Sequence, residues 1–181
     1  GDEWLTNIKT TLGEKTPDYL IVQHMEPDHS ANIKAFATAY PNAIIVSSDK
    51  AFPMMKNFFE TDFSDRRIVV KDGDSLSLGK HTLKFFTAPM VHWPEVMMTY
   101  DSFDKVLFSA DGFGIFGAIN GTIFDDEVDF DRDWLDEARR YYTNICGKYG
   151  MQVQAALKKA AGLDVKILCP LHGIIWRTNP G

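Results

Sequence analysis

Tyr19-Leu20-Ile21-Val22-Gln23-His24-Met25-Glu26-Pro27-Asp28-His29-Ser30 is the stretch from which the rest of the chain can be read. Its first four residues have the unbroken apolar character of a strand buried on both faces. The next eight spend two imidazoles and two carboxylates, His24, Glu26, Asp28 and His29, within six positions. Neighbouring carboxylates repel unless a cation neutralises them, so a loop of this composition at a strand end reads as a ligand cluster for two metals. Further along, His92, Asp111 and His172 each sit just past a strand-like segment. One pocket can therefore draw ligands from four places in the chain. The competing reading, a turn whose carboxylates cap the following helix, leaves the three downstream residues unexplained.

Outward from that loop, residues 2–12 place Trp4, Leu5, Ile8 and Leu12 on one side of a helix, with Gly13 as its stop signal. Ser30 is expected to N-cap a helix over residues 31–40. A buried strand at 43–46 and a helix at 50–59 follow. Residues 67–70, 75–78 and 81–87 are short strand candidates separated by turn signals, and they read as an antiparallel meander. Strands at 96–100 and 106–108 extend it. A long amphipathic helix over 130–145 and a second over 151–160, ended by Gly162, precede a last buried strand at 167–169. Such an order fits an α/β (α+β) fold with two sheets packed together and helices outside.

The 181 residues suit one domain spanning 1–181. The formal charge of -6 arises from 25 acidic and 19 basic side chains, and the basic ones are scattered, which argues against a nucleic-acid groove. Part of the acidic excess is the counter-charge a two-metal site requires. No apolar run approaches the ~20 residues needed to cross a bilayer, and no signal peptide opens the chain, so no membrane partner and a cytoplasmic location are expected. Cys146 and Cys169, widely separated in apolar surroundings, read as core thiols of a protein kept in a reducing compartment.

With His-x-Glu-x-Asp-His at 24–29, Val91-His92-Trp93-Pro94, Ser109-Ala110-Asp111-Gly112 and Pro170-Leu171-His172-Gly173 in that order, the chain resembles the metallo-β-lactamase superfamily. More narrowly it is similar to the diiron domain of the flavodiiron proteins, and the resemblance covers almost the whole chain. It implies a metallo-β-lactamase-like αββα sandwich, here N-terminally incomplete, in a chain that is a fragment of a longer one. The resemblance further implies one iron held by His24, Glu26 and His92 and another by Asp28, His29 and His172, with Asp111 bridging. Hydrolytic members of the superfamily carry a second His where this chain has Glu26. A hard anionic oxygen there favours the oxidised form of a redox metal and shifts the expectation from hydrolysis to oxidoreduction.

The activity implied is reduction of dioxygen to water, of nitric oxide to nitrous oxide, or both, with no catalytic residue beyond the metal ligands. No phosphate loop or GxGxxG fingerprint occurs, so no cofactor-binding residue is assigned in this chain. FMN would act only through a flavodoxin-like domain or a partner, fed by a flavoprotein or rubredoxin-type donor, and the 181 residues alone are expected not to turn over. The family also implies a homo-oligomer, paired head to tail. Two other readings stand beside this one: a binuclear zinc hydrolase of the same fold, and a catalytically incomplete fragment. Trp93, Phe113 and Phe116 are read as core or as walls of a gas pocket, Glu95 and Tyr100 as candidate proton relays, and His81 as a surface residue. The acidic run at 125–133 reads as a solvated helix start, with a docking face for an electron carrier as the sharper option.

Overall fold

The computed structural model describes residues 1–178 and Pro180, and the chain divides into two compact units, residues 1–70 and 71–181. The first unit opens with α1 (Asp2–Leu12), closed by Gly13 at φ 59°, whose N–H donates to the Lys9 carbonyl. Then come β1 (Tyr19–Ile21), α2 (Pro27–Ser30), α3 (Ile33–Ala39), β2 (Ile44–Ser48), α4 (Ala51–Phe59) and β3 (Arg67–Val70). The three strands form one parallel sheet in the order β1-β2-β3, with Leu20 opposite Ile45 and Val46 opposite Ile68. Parallel neighbours need crossovers, and the helical segments supply them. Val22, Met25, Ile33, Ile45, Phe52 and Met55 make this unit's core. The Arg66 guanidinium donates to the carbonyls of Ala37, Tyr40 and Pro41, tying the end of α3 to the start of β3.

The second unit carries β4 (Ser75–Ser77), β5 (Thr82–Thr87), β6 (Met97–Asp101), β7 (Val106–Phe108) and, after a helical stretch, β8 (Ile167–Cys169). They form a five-stranded sheet in that order, antiparallel up to β7, with β8 parallel to β7. Every residue of the central β6 is buried. The helical stretch holds α5 (Phe130–Asp133), α6 (Leu135–Ile145) and α7 (Gly150–Ala160), with 3-10 turns at Asp125–Glu127 and Gly147–Tyr149. Val96, Met98, Leu107, Cys146 and Leu168 are the buried centre, and Val153, Ala156 and Ala160 of α7 pack onto it.

The mixed α/β class is as expected, with three departures. The strand at 67–70 is not the first arm of the meander; it pairs in parallel with β2 in the other sheet. Ser30 does not cap the helix after it but ends α2, a helical turn opened by Pro27, and its hydroxyl donates to the Met25 carbonyl over 2.9 Å. The long helix breaks at Trp134, at φ −125° and ψ −21°, so it is two helices. Among the described residues no helix is long and apolar enough to cross a membrane.

Candidate metal centre

Each unit holds part of the expected donor set. In the first, β1 delivers the ligand loop. The Val22 N–H donates to the Val46 carbonyl at 2.9 Å, and the Ser47 hydroxyl donates to the Val22 carbonyl at 2.6 Å, so the strand stays clamped to β2 up to the loop. His24 and Met25 are buried while Glu26 is half-buried, which gives the loop an anchored inner side. Pro27 then starts α2, a position where its missing N–H costs nothing. Asp28 and His29 therefore project from a helical turn and not from an open loop. His24 Nε2 stands 3.5 Å from Glu26 Oε2, and His29 Nε2 stands 3.4 Å from Asp28 Oδ2. The two imidazole rings are 5.7 Å apart. The cluster read from the sequence is thus compact, with its nitrogen and oxygen donors in adjacent pairs.

In the second unit, three strand ends each present one ligand through a sharply turned loop. His92 lies in the β5–β6 connection, where the Ala88 N–H donates to the Val96 carbonyl and the Met90 N–H to the Trp93 carbonyl, both at 2.8 Å. Asp111 follows β7 and is entirely buried. Its loop is pinned by the Ser109 hydroxyl, which donates to the Gly112 carbonyl at 2.6 Å, and by the Leu171 N–H, which donates to the Ala110 carbonyl at 2.9 Å. His172 follows β8. Left-handed residues flank all three: Met90 at φ 65°, Ala110 at φ 53° and Gly173 at φ 84°. For Met90 and Ala110 this conformation costs on the order of 1 kcal/mol or more each, a strain held by the surrounding hydrogen bonds.

The geometry around Asp111 is specific. His92 Nε2 is 3.0 Å from its Oδ2, and His172 Nε2 is 3.9 Å from its Oδ1. Each carboxylate oxygen thus addresses a different imidazole, the disposition a bridging ligand to two cations needs. A fully buried carboxylate is costly unless positive charge accompanies it. Burial and the negative charge of Asp111 push the Cys146 thiol up to about 11, and burial also raises the Cys169 thiol. The candidate donors are imidazole nitrogens and carboxylate oxygens, a set suited to iron or zinc in preference to softer metals.

The remaining candidates fall elsewhere. Tyr100 donates its hydroxyl to the Asp164 carbonyl at 2.8 Å. Glu95 is buried in the same loop as His92. His81 is not an idle surface group, since its Nδ1 lies 2.6 Å from Asp101 Oδ2. The acidic run is largely engaged within its own unit: Asp125 accepts from the backbone N–H of Arg177, and the Arg177 guanidinium donates to Asp126 at 2.9 Å. Tyr141, which sequence reasoning did not single out, is buried with its ring 5.6 Å from that of His172. Its only sequence signal is its place on the apolar side of α6.

The family model described as ODP family beta lactamase matches residues 2–173. A nitric oxide reductase of Moorella thermoacetica is 36% identical over 183 residues, covering 99% of this chain and 45% of that protein. Among solved structures, the flavodiiron protein from Giardia intestinalis superposes with a TM-score of 0.88 at 31% identity, covering 98% of this chain and 43% of its own. The rubredoxin oxygen:oxidoreductase of Desulfovibrio gigas gives a TM-score of 0.86 at 34% identity, over 96% of this chain and 43% of its own. The chain spans less than half the length of these relatives.

Proposed function

From the premise that this chain belongs to the ODP beta-lactamase family and has the fold of the flavodiiron core, we propose that it is the diiron domain of an oxidoreductase reducing dioxygen to water, nitric oxide to nitrous oxide, or both. One iron would be held by His24, Glu26 and His92, the other by Asp28, His29 and His172, and Asp111 would serve both. The observation that carries the assignment is the buried Asp111 carboxylate with one oxygen toward His92 and the other toward His172. When bound, the irons supply electrons to a diatomic substrate, one from each metal.

The residues contribute in distinct ways. Glu26 adds an anionic oxygen beside His24, which lowers the charge of that site and favours ferric over ferrous iron. Burial of Asp111 keeps its charge unscreened by water, so its hold on two cations is strong. The clamped backbones at residues 88–96 and 109–112 fix the bearing of His92 and Asp111 before any metal arrives. Dioxygen reduction needs more electrons than two ferrous ions hold, so refilling is essential. Electrons are assigned to an FMN domain outside these 181 residues, itself served by a rubredoxin-type or flavoprotein donor. A cytoplasmic setting and head-to-tail pairing of two copies belong to the same reading.

The test is iron analysis of protein purified without air, followed by addition of a reduced flavoprotein and measurement of oxygen or nitric oxide consumption. Iron near a pair per chain and rapid gas uptake are expected. Full zinc occupancy with ester or phosphodiester turnover and no gas uptake would instead make it a hydrolase of the same fold.

A further inference from the structure

We propose that two adjoining apolar cavities in the second unit form a holding pocket for the uncharged diatomic gas, one that ends on the buried face of Asp111; the proposal rests on the reductase reading above. The first cavity, about 240 Å³, is lined by Asp111, Ile115, Ala138, Tyr141 and Cys146 among others. The second, about 180 Å³, is lined by Ala88, Val91, Met98, Val153 and Ala156 among others. Phe113, Tyr142 and Cys146 line both, so the two voids share one wall.

Three observations point to a gas. The first is lining: the second cavity is mostly apolar, and its Ser109 hydroxyl is committed to the Gly112 carbonyl at 2.6 Å. Apolar linings of this size take up xenon or benzene, whereas a charged or strongly polar substrate would find few polar partners there. The second is an exposure gradient. Phe113 and Tyr142 are 43% and 48% exposed, while Cys146, Tyr141 and Asp111 are 5%, 2% and 0% exposed. The lining of the cavity at Asp111 therefore holds both exposed side chains and the carboxylate assigned as the bridge. The third is Phe113 itself, held at φ 67°. A bulky residue in the left-handed region is strained, and this one lines both cavities while staying 43% exposed. A gas more soluble in an apolar phase than in water concentrates in such a pocket, one step from the reacting centre.

The test pairs a probe that is blind to iron with one that is not. Xenon titrated into the isotopically labelled full protein, iron-free and iron-loaded, is expected to shift the amide resonances of Cys146, Val153 and Ala156 saturably. Ala156→Phe, which fills the second cavity, is expected to abolish those shifts, keep the iron content and raise KM for the gas about five-fold with kcat unchanged. If that variant folds poorly, Ala156→Leu or Ala138→Leu serves, each read by circular dichroism first. Absence of site-specific xenon shifts while gas turnover is intact overturns the pocket alone. Loss of xenon binding without any change in KM overturns it too. Xenon binding in a reduced, iron-loaded protein that consumes neither gas refutes the reductase reading and, with it, the gas role of the pocket.

Discussion

Asp111 has no exposed surface and two imidazoles within reach, one for each oxygen. A carboxylate so placed is stable only with positive charge beside it. Asp111→Asn keeps the shape and removes the charge, so iron stoichiometry measured by inductively coupled plasma analysis should collapse for both metals together. The iron-free variant should unfold in urea at least as late as the wild type, because a buried charge has gone. Early unfolding of the iron-free variant would instead make Asp111 a structural residue. Gly173 presents a different residue-scale constraint. It sits at φ +84°, and a Cβ there would lie 2.8 Å from Ile115 Cβ and 3.1 Å from the Ile115 carbonyl oxygen. Gly173→Ala should therefore cost about 2–4 kcal/mol in urea denaturation, from left-handed strain plus overpacking, and should weaken metal binding through the adjacent His172. The seven candidate ligands were legible in the sequence because each stands in a short run whose neighbours, Pro27, Trp93, Gly112 and Gly173, are turn-forming or rigid. The His81–Asp101 contact was not legible. The partners are 20 residues apart, and only the β5–β6 register, which sets Leu83 opposite Asp101, brings them together.

At the scale of elements, the strands are rails that end where ligands begin, and each rail is fastened by side-chain ties. One tie joins α7 to the end of β5: Lys159 Nζ donates to the Thr87 carbonyl at 2.7 Å and to Asp72 Oδ1 at 2.8 Å, and Asp72 Oδ1 also accepts from the Thr87 N–H. Burial raises the Asp72 carboxyl, but the Lys159 ammonium and the Thr87 N–H outweigh it and hold the group below its ordinary value of 3.8. A depressed folded-state pKa means the unfolded chain binds the proton first as pH falls. The tie therefore stabilises fully above 3.8 and is lost as pH drops through the lower folded value. The stability gap between wild type and Asp72→Asn, followed by urea denaturation across pH, should be present at neutral pH and close in strong acid. A gap that persists unchanged in acid would remove the charge from the explanation. Its size is modest, since Asp72 is half exposed. Helix 2–12 and the strands at 67–70, 106–108 and 167–169 could be read from periodicity to the residue, because local pattern sets where an element begins. Which sheet a strand joins is not local. The strand at 67–70 looks like a meander arm in sequence, yet Arg66 and the β2 register draw it into the parallel sheet. The break at Trp134 was hidden for a related reason. The ring of Trp134 comes within 2.9 Å of where a Cβ on Gly117 would sit, a contact no helical periodicity encodes.

For the molecule as a whole, the proposed ligand set has a thermodynamic consequence. Four ligands, His24, Glu26, Asp28 and His29, belong to the first compact unit, and three, His92, Asp111 and His172, to the second. Each unit has its own sheet and its own buried cluster. If both groups ligate the same pair of irons, the metals join the two units covalently in all but name. Metal binding to the folded state alone then stabilises the chain by about 2.7 kcal/mol per iron at a free-iron concentration of 100 times Kd, and the unfolded chain cannot match that site. Calorimetry under anaerobic conditions should show a single cooperative transition with iron bound. After chelation it should move to lower temperature and broaden, as the two cores begin to melt on their own terms. Glu26→Ala and His172→Ala, each removing a proposed ligand of one iron, should each move the profile part of the way toward the chelated one even with iron present. A scan unaffected by chelation would mean that these two sets of side chains do not hold metal in common, and the assignment of seven ligands to one centre would have to be abandoned.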